Sequence, residues 1–279
     1  MTALIRMELL KLVKRPMTWV LAVLLHGGIG FGIVVGFLNL GSVDVEVRDS
    51  MLRDLTLPGI IPWSAELIGI FGSIMLSILA ASAIGSEYGW GTLRPFLATG
   101  MPRLRFLGAK LLALAAVGLA FVVLPILMSA ILAVPIAAMN DRPTIAATVD
   151  LAWFLNLLAI VGRCFLAVLV PMAIAFLVGL AGRSQAAGIG TALGLLIAEQ
   201  IIGGLLLSLG LDWARQVVNS LPMHNSVTLV GYYNSFGTPE IPDGLIGEWR
   251  AIATLFVYGL ACIAFAIVIF RRRDIRGSA

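Results

Sequence analysis

Residues 105–138 read RFLGAKLLALAAVGLAFVVLPILMSAILAVPIAA. A run so continuously apolar exceeds the roughly 20 residues that a helix needs to cross hydrocarbon. Inside a bilayer only α-helices and closed barrels satisfy every backbone polar group, and barrel strands read as alternating stretches of about ten residues. The unbroken run therefore selects a membrane-spanning helix. Working outward, the same character recurs on both sides, and six spans are expected at 17–40, 62–85, 105–138, 151–181, 186–209 and 249–270. The third and fourth are longer than a bilayer requires. Tilt, extension beyond the membrane, or kinks at Pro125, Pro135 or Pro171 absorb the excess. The chain has 279 residues, 60% hydrophobic and 12% charged, where soluble domains are about half apolar and a quarter charged. The mean hydropathy of +1.02 agrees. The expected fold class is an all-α integral membrane protein, a single transmembrane domain over 1–279. Residues 1–15 form an amphipathic surface helix, and short helices fill the outer loop between spans five and six.

The charges say which way the helices run. Arg6, Lys11, Lys14 and Arg15 precede span one. Arg94, Arg103, Arg105 and Lys110 lie between spans two and three, Arg183 between four and five, and Arg271, Arg272, Arg273 and Arg276 after span six. With six spans, all four places share one side. The remaining loops are richer in acids: Asp44, Glu46, Asp49 and Asp54; then Asp141 and Asp150; then Asp212, Glu240, Asp243 and Glu248. Lysine and arginine mark the cytosolic flanks of membrane helices. Both termini and the loop 86–104 are thus expected in the cytosol, and 210–248 outside, in a cell inner (plasma) membrane. The basic start and the long apolar stretch after it do not read as a cleaved signal. In the outer loop, Leu211, Ala214, Val217, Val218 and Leu221 recur near helical spacing, and the apolar-aromatic segment 223–238 is expected to re-enter the outer leaflet.

Several function classes are excluded by what is missing. The net charge of +4 does not point to nucleic acid, because the basic residues sit at the ends of apolar segments. Cys164 and Cys262 both lie within apolar segments, and His26 and His224 are isolated, so neither a disulfide framework nor a metal site is expected. No G-x-x-x-x-G-K-[ST] phosphate loop, H-E-x-x-H or G-x-S-x-G occurs. No catalytic residue is assigned. Any ATP, with its magnesium, belongs to another chain.

Three ionisable residues fall within or at the edges of spans: Glu66, Arg163 and Glu199. Such groups are costly in hydrocarbon and face the bundle interior or a polar cavity. Glu66 is expected to reach headgroup water. Two readings stand for the deeper pair: Arg163 and Glu199 pair with each other, or they line a pathway. Gly28, Gly32 and Gly36 repeat at four-residue spacing in span one, as do Gly190 and Gly194 in span five. These faces suit close helix packing, within the chain or against another copy.

The loop after span two, residues 85–103, reads GSEYGWGTLRPFLATGMPR. By composition it is either a protein-binding surface or an interfacial aromatic belt with ordinary cytosolic arginines. The run E-Y-G-W-G-T-L-R, followed by P-R-L-R-F-L-G-A-K, resembles the corresponding loop of ABC-2 type permeases, the transmembrane subunits of ATP-binding-cassette transporters. The basic N-terminal helix, the six spans, Leu221-Pro222 before the last span and the ending Phe270-Arg271-Arg272-Arg273-Asp274-Ile275 are similar to that family in kind. One departure is Thr99-Gly100-Met101, where the family commonly has proline near position 100. The resemblance implies a permease, an exporter of drugs, antibiotics or peptides by family frequency. It implies an ATPase-coupling element at Glu87, Tyr88, Gly91, Thr92, Leu93 and Arg94, a cytosolic ABC ATPase as partner, and a second permease copy, identical or paralogous, in surrounding lipid.

Overall fold

The computed structural model describes residues 1–92, 102–143, 150–234, 236 and 246–272. Its described residues form helices α1 (Thr2–Val13), α2 (Pro16–Asn39), α3 (Val45–Leu55), α4 (Ile60–Leu67), α5 (Ser73–Gly89), α6 (Arg103–Met139), α7 (Leu151–Gly182), α8 (Gln185–Ser208), α9 (Asp212–Val218), α10 (Pro222–Gly231) and α11 (Glu248–Arg272). A π-helical turn, Ile68–Gly72, joins α4 to α5, making one helix over Ile60–Gly89. With α2, α6, α7, α8 and α11 it completes six helices long and apolar enough to cross a membrane.

Local chemistry sets the helix starts. Pro16 opens α2 after extended Arg15, using a position where the missing N–H costs nothing. The Asp150 carboxylate accepts from the Trp153 amide at 2.7 Å and caps α7, and Ser184 caps α8 through the Ala187 amide at 3.4 Å. Between these two helices, Arg183 takes a left-handed conformation at φ 52°, which turns the chain back at once. Pro125, Pro135 and Pro171 all lie inside continuous helices.

The core centres on α5 and α7. Ala81, Ala175 and Ala192 meet there. A Cβ on Gly85 would collide with the backbone of Gln185, and one on Gly188 would lie 2.7 Å from both the Ala175 carbonyl oxygen and the Ala81 Cβ. Backbones this close need glycine. The glycine repeats expected to pack do less. Gly32 faces the Trp63 ring and Gly36 faces Leu55, while Gly28, Gly190 and Gly194 face open space. The reason lies in α2, whose buried stripe is Leu21, Leu25, Ile29 and Ile33. That stripe runs beside the glycines rather than through them.

The last spans are joined by α9 and α10. Helix α10 is mostly buried, against α7, α11, α4 and α8. Ser226 donates to the Ala167 carbonyl of α7 at 3.2 Å, and Val230 lies where a Cβ on Gly69 would touch it. A segment with Asn225, Ser226 and Thr228 is thus carried in among apolar helices, the Ser226 hydroxyl and the Asn225 amide nitrogen donating to backbone carbonyls.

Candidate functional site

One end of the bundle gathers α1, the end of α5, the start of α6 and the end of α11. Glu8 and Leu12 sit four residues apart on the buried face of α1. There Glu8 is 1% exposed, Lys110 2% and Glu87 4%. The Lys110 ammonium donates to Glu8 Oε2 at 2.6 Å, Glu87 Oε1 at 2.7 Å and the Ala83 carbonyl at 3.3 Å. An ammonium has three donors, and all three are used. Lys11 adds contacts to Glu8 Oε1 at 2.7 Å and Glu87 Oε1 at 3.4 Å. The four charges balance. Burial would raise the Glu8 carboxyl, but Lys110 and Lys11 outweigh it and hold Glu8 below the ordinary carboxylate value.

The network is braced at its edges. Arg15 donates to the Ser82 carbonyl at 3.2 Å and to Ser86 Oγ at 3.0 Å, and lies 5.8 Å from the centroid of the Trp90 ring. Burial pushes the Arg15 guanidinium below its usual value, with Glu87 and Glu8 opposing. Lys110 Nζ is 5.3 Å from the Phe106 ring centroid. Phe106 stacks on Phe270 at 6.1 Å, and Arg103 donates to the Arg271 carbonyl at 3.2 Å. This holds the end of α11 to the start of α6. The arrangement is a joint between helices.

The residues expected to couple to an ATPase divide here. Glu87 is buried, with its carboxylate inside the joint. Tyr88 is half-buried, whereas Trp90, Gly91 and Thr92 are exposed. Gly91 adopts φ 65°, a left-handed turn that suits glycine. Leu93 and Arg94 lie outside the described residues, as do Asp243 and the tail from Arg273. Sequence reasoning missed Glu8. Its signal was present: it is the only acid before Asp44.

At the opposite end, the expected pairing of Arg163 with Glu199 is not found. Arg163 Nε donates to Glu248 Oε1 at 2.6 Å, and its Nη1 to the Tyr233 carbonyl at 2.9 Å. Glu199 Oε2 accepts from the Met223 amide at 2.8 Å. The first N–H groups of a helix lack intrahelical partners and favour a carboxylate, so the start of α10 takes Glu199 away from Arg163. Glu66 is exposed. Arg142 and Asp49 pair at 2.7 Å. Among the described residues, no group of three or more His, Cys, Asp or Glu could hold a metal ion.

Fold and site together define a multi-pass helical membrane protein with a largely buried, charge-balanced cluster at one end. The chain belongs to a family described as a protein of unknown function (DUF2705), which matches residues 52–276. The match takes in Glu87 and Lys110 and stops short of α1 and Glu8. No curated protein matches the chain.

Proposed function

We propose that this chain is the permease subunit of an ATP-binding-cassette exporter, driven by a separate cytosolic ATPase and working beside a second permease copy. Both termini then face the cytosol. The observation that carries the reading is the joint of Glu8, Glu87, Lys110 and Lys11, which includes the first residue of the E-Y-G-W-G-T-L-R run. A push on that loop reaches α5, α6 and α1 together, because the buried ion pairs bind all three. Switching between inward and outward access is rigid-body motion of packed helices, and a joint of this kind passes on displacement without bending. The exposed Trp90 is a surface anchor of the sort that dominates protein interfaces.

The test is co-purification of a phosphate-loop cassette ATPase with the tagged permease from membranes. Trp90→Ala and Leu93→Asp should each cut capture about thirtyfold, as loss of roughly 2 kcal/mol at an anchor predicts. Asp49→Ala, at the other end, should leave capture unchanged. Glu87→Ala is a poor probe of docking, since it also removes one of the two carboxylates bonded to Lys110. If no such ATPase accompanies the wild-type chain, the transporter reading falls and a membrane anchor for some other cytosolic partner takes its place. If both loop variants keep full capture, the loop is not the coupling element.

A further inference from the structure

Beside the membrane-spanning part of α4 lies a cavity of about 440 Å³, within the usual range of small-molecule sites. Three segments build it. Asp54 comes from the last turn of α3. Trp63 and Glu66, three residues apart and so on one face, come from α4. Gly231, Asn234 and Phe236 come from the end of α10 and the residues after it.

Each wall is fixed by packing elsewhere. Phe236 stacks on Trp153, with centroids 5.4 Å apart and planes at 24°. The Trp63 ring rests over Gly32 of α2. Gly231 has open space where a Cβ would stand.

The polar groups are left without partners. Asn234 is 5% exposed, and neither its amide nitrogen nor its amide oxygen has a hydrogen-bond partner. Buried polar groups in folded proteins are nearly always satisfied, and an orphan needs a reason. Here the amide lines the cavity, where an occupant can serve it. No cation bridges Asp54 or Glu66 among the described residues. Asp54 also sits at a helix C-terminus, where the dipole disfavours an anion. Burial pushes its carboxyl up, with Arg53 opposing.

The chemistry points away from an inorganic ion. Calcium takes six to eight oxygen ligands, and magnesium demands a near-ideal octahedron. Two carboxylates and one amide between aromatic walls do not meet that need. A cation over a ring face is attracted by the ring quadrupole, and an apolar body would match the Trp63 and Phe236 rings in the lining.

We propose that this cavity binds an organic cation with an aromatic or apolar body. Asp54 and Glu66 hold its charge, Trp63 and Phe236 cover its faces, and Asn234 meets its polar edge. The site is independent of the transport reading and of any ATPase.

The test titrates ethidium, a planar aromatic cation, into the purified full chain in detergent and follows its fluorescence. Saturable binding is expected. The isosteric double change Asp54→Asn with Glu66→Gln should weaken it about tenfold or more. Gly231→Leu should block it, since Gly231 lines the cavity and a Cβ there meets open space. Neutral phenanthridine should compete at least about tenfold more weakly than the cation, as loss of the charged contact predicts. Binding unchanged in the double variant overturns the proposal, as does equal competition by phenanthridine, which marks an apolar surface only. Retained binding in Gly231→Leu places ethidium elsewhere, and displacement by millimolar magnesium alone assigns the carboxylates to an inorganic ion. Either result also overturns it.

Discussion

The two ends of the bundle treat charge in opposite ways. At the α1 end, Glu8, Glu87 and Lys110 are almost wholly buried, and every donor of the ammonium is used. At the other end, Asp54 and Glu66 are exposed, Arg163 and Glu248 are only partly covered, and the Asn234 amide is orphaned. The difference is one of dielectric. A dry pair is strong only while complete, because removing one partner leaves a charge that water cannot reach. A wet pair loses little, since solvent replaces the missing partner. The first arrangement holds helices in place, and the second leaves groups free to meet something else.

The largest effect that would break this contrast is at Lys110. Lys110→Met should destabilise the detergent-solubilised protein by about 3–5 kcal/mol, the range for stranding a buried charge. Thermal unfolding followed by size-exclusion reads it. Adding Glu8→Gln and Glu87→Gln to that variant should recover a good part of the loss. A Lys110→Met protein that melts like wild type would mean that the joint does not hold this end together.

A smaller loss is expected at the opposite end. The side chains of Arg163 and Glu248 are 20% and 27% exposed, so Arg163→Met should cost only about 1–2 kcal/mol, between the buried and surface limits. A double-mutant cycle sharpens the point. Arg163 should couple with Glu248, and its losses should simply add to those of Glu199, which bonds to α10 instead. Coupling between Arg163 and Glu199 would contradict the geometry.

The smallest effect is in pH, and its sign differs between the ends. Glu8 is held below its ordinary value, so its stabilisation is complete above that ordinary value and is lost as pH falls through the lowered one. Asp54 is raised, so the folded state loses ground as pH climbs from the ordinary value through the raised one. At neutral pH, Glu8→Gln should therefore lower the melting temperature. Asp54→Asn should raise it by no more than about a degree or two, because the group is exposed. Melting curves of both variants between pH 3 and 7 would show the opposite trends, and parallel curves would remove the distinction.

The spans were legible because hydropathy is a property of one segment at a time. Residues 105–138 announce a helix without reference to anything else, and α6 covers Arg103–Met139. Partners were less legible, because they depend on what lies beside a residue in space. Arg163 and Glu199 looked like a pair as two charges in neighbouring spans. Neither the amides at the start of α10 nor Glu248 at the head of α11 could be placed beside these charges from hydropathy alone. Glu87 was singled out as a contact residue, and its burial against Lys110 could not be read from a loop motif. The packing glycines show the same limit. A four-residue repeat in α2 was visible, but the close approach occurs at Gly85 and Gly188, in other helices.

The joint also bears on the order of assembly. Glu8 and its principal partner, Lys110, are 102 residues apart. At a synthesis rate of about 5–20 residues per second, the N-terminal carboxylate waits roughly 5–20 seconds before its ammonium is made. Glu87 appears 23 residues before Lys110 and waits a shorter time. Until Lys110 arrives, Glu8 has only the cations of its own neighbourhood, Lys11 and Arg15 among them. Helix α1 is therefore seated only after the second span has been made, and the start of the third span closes the latch.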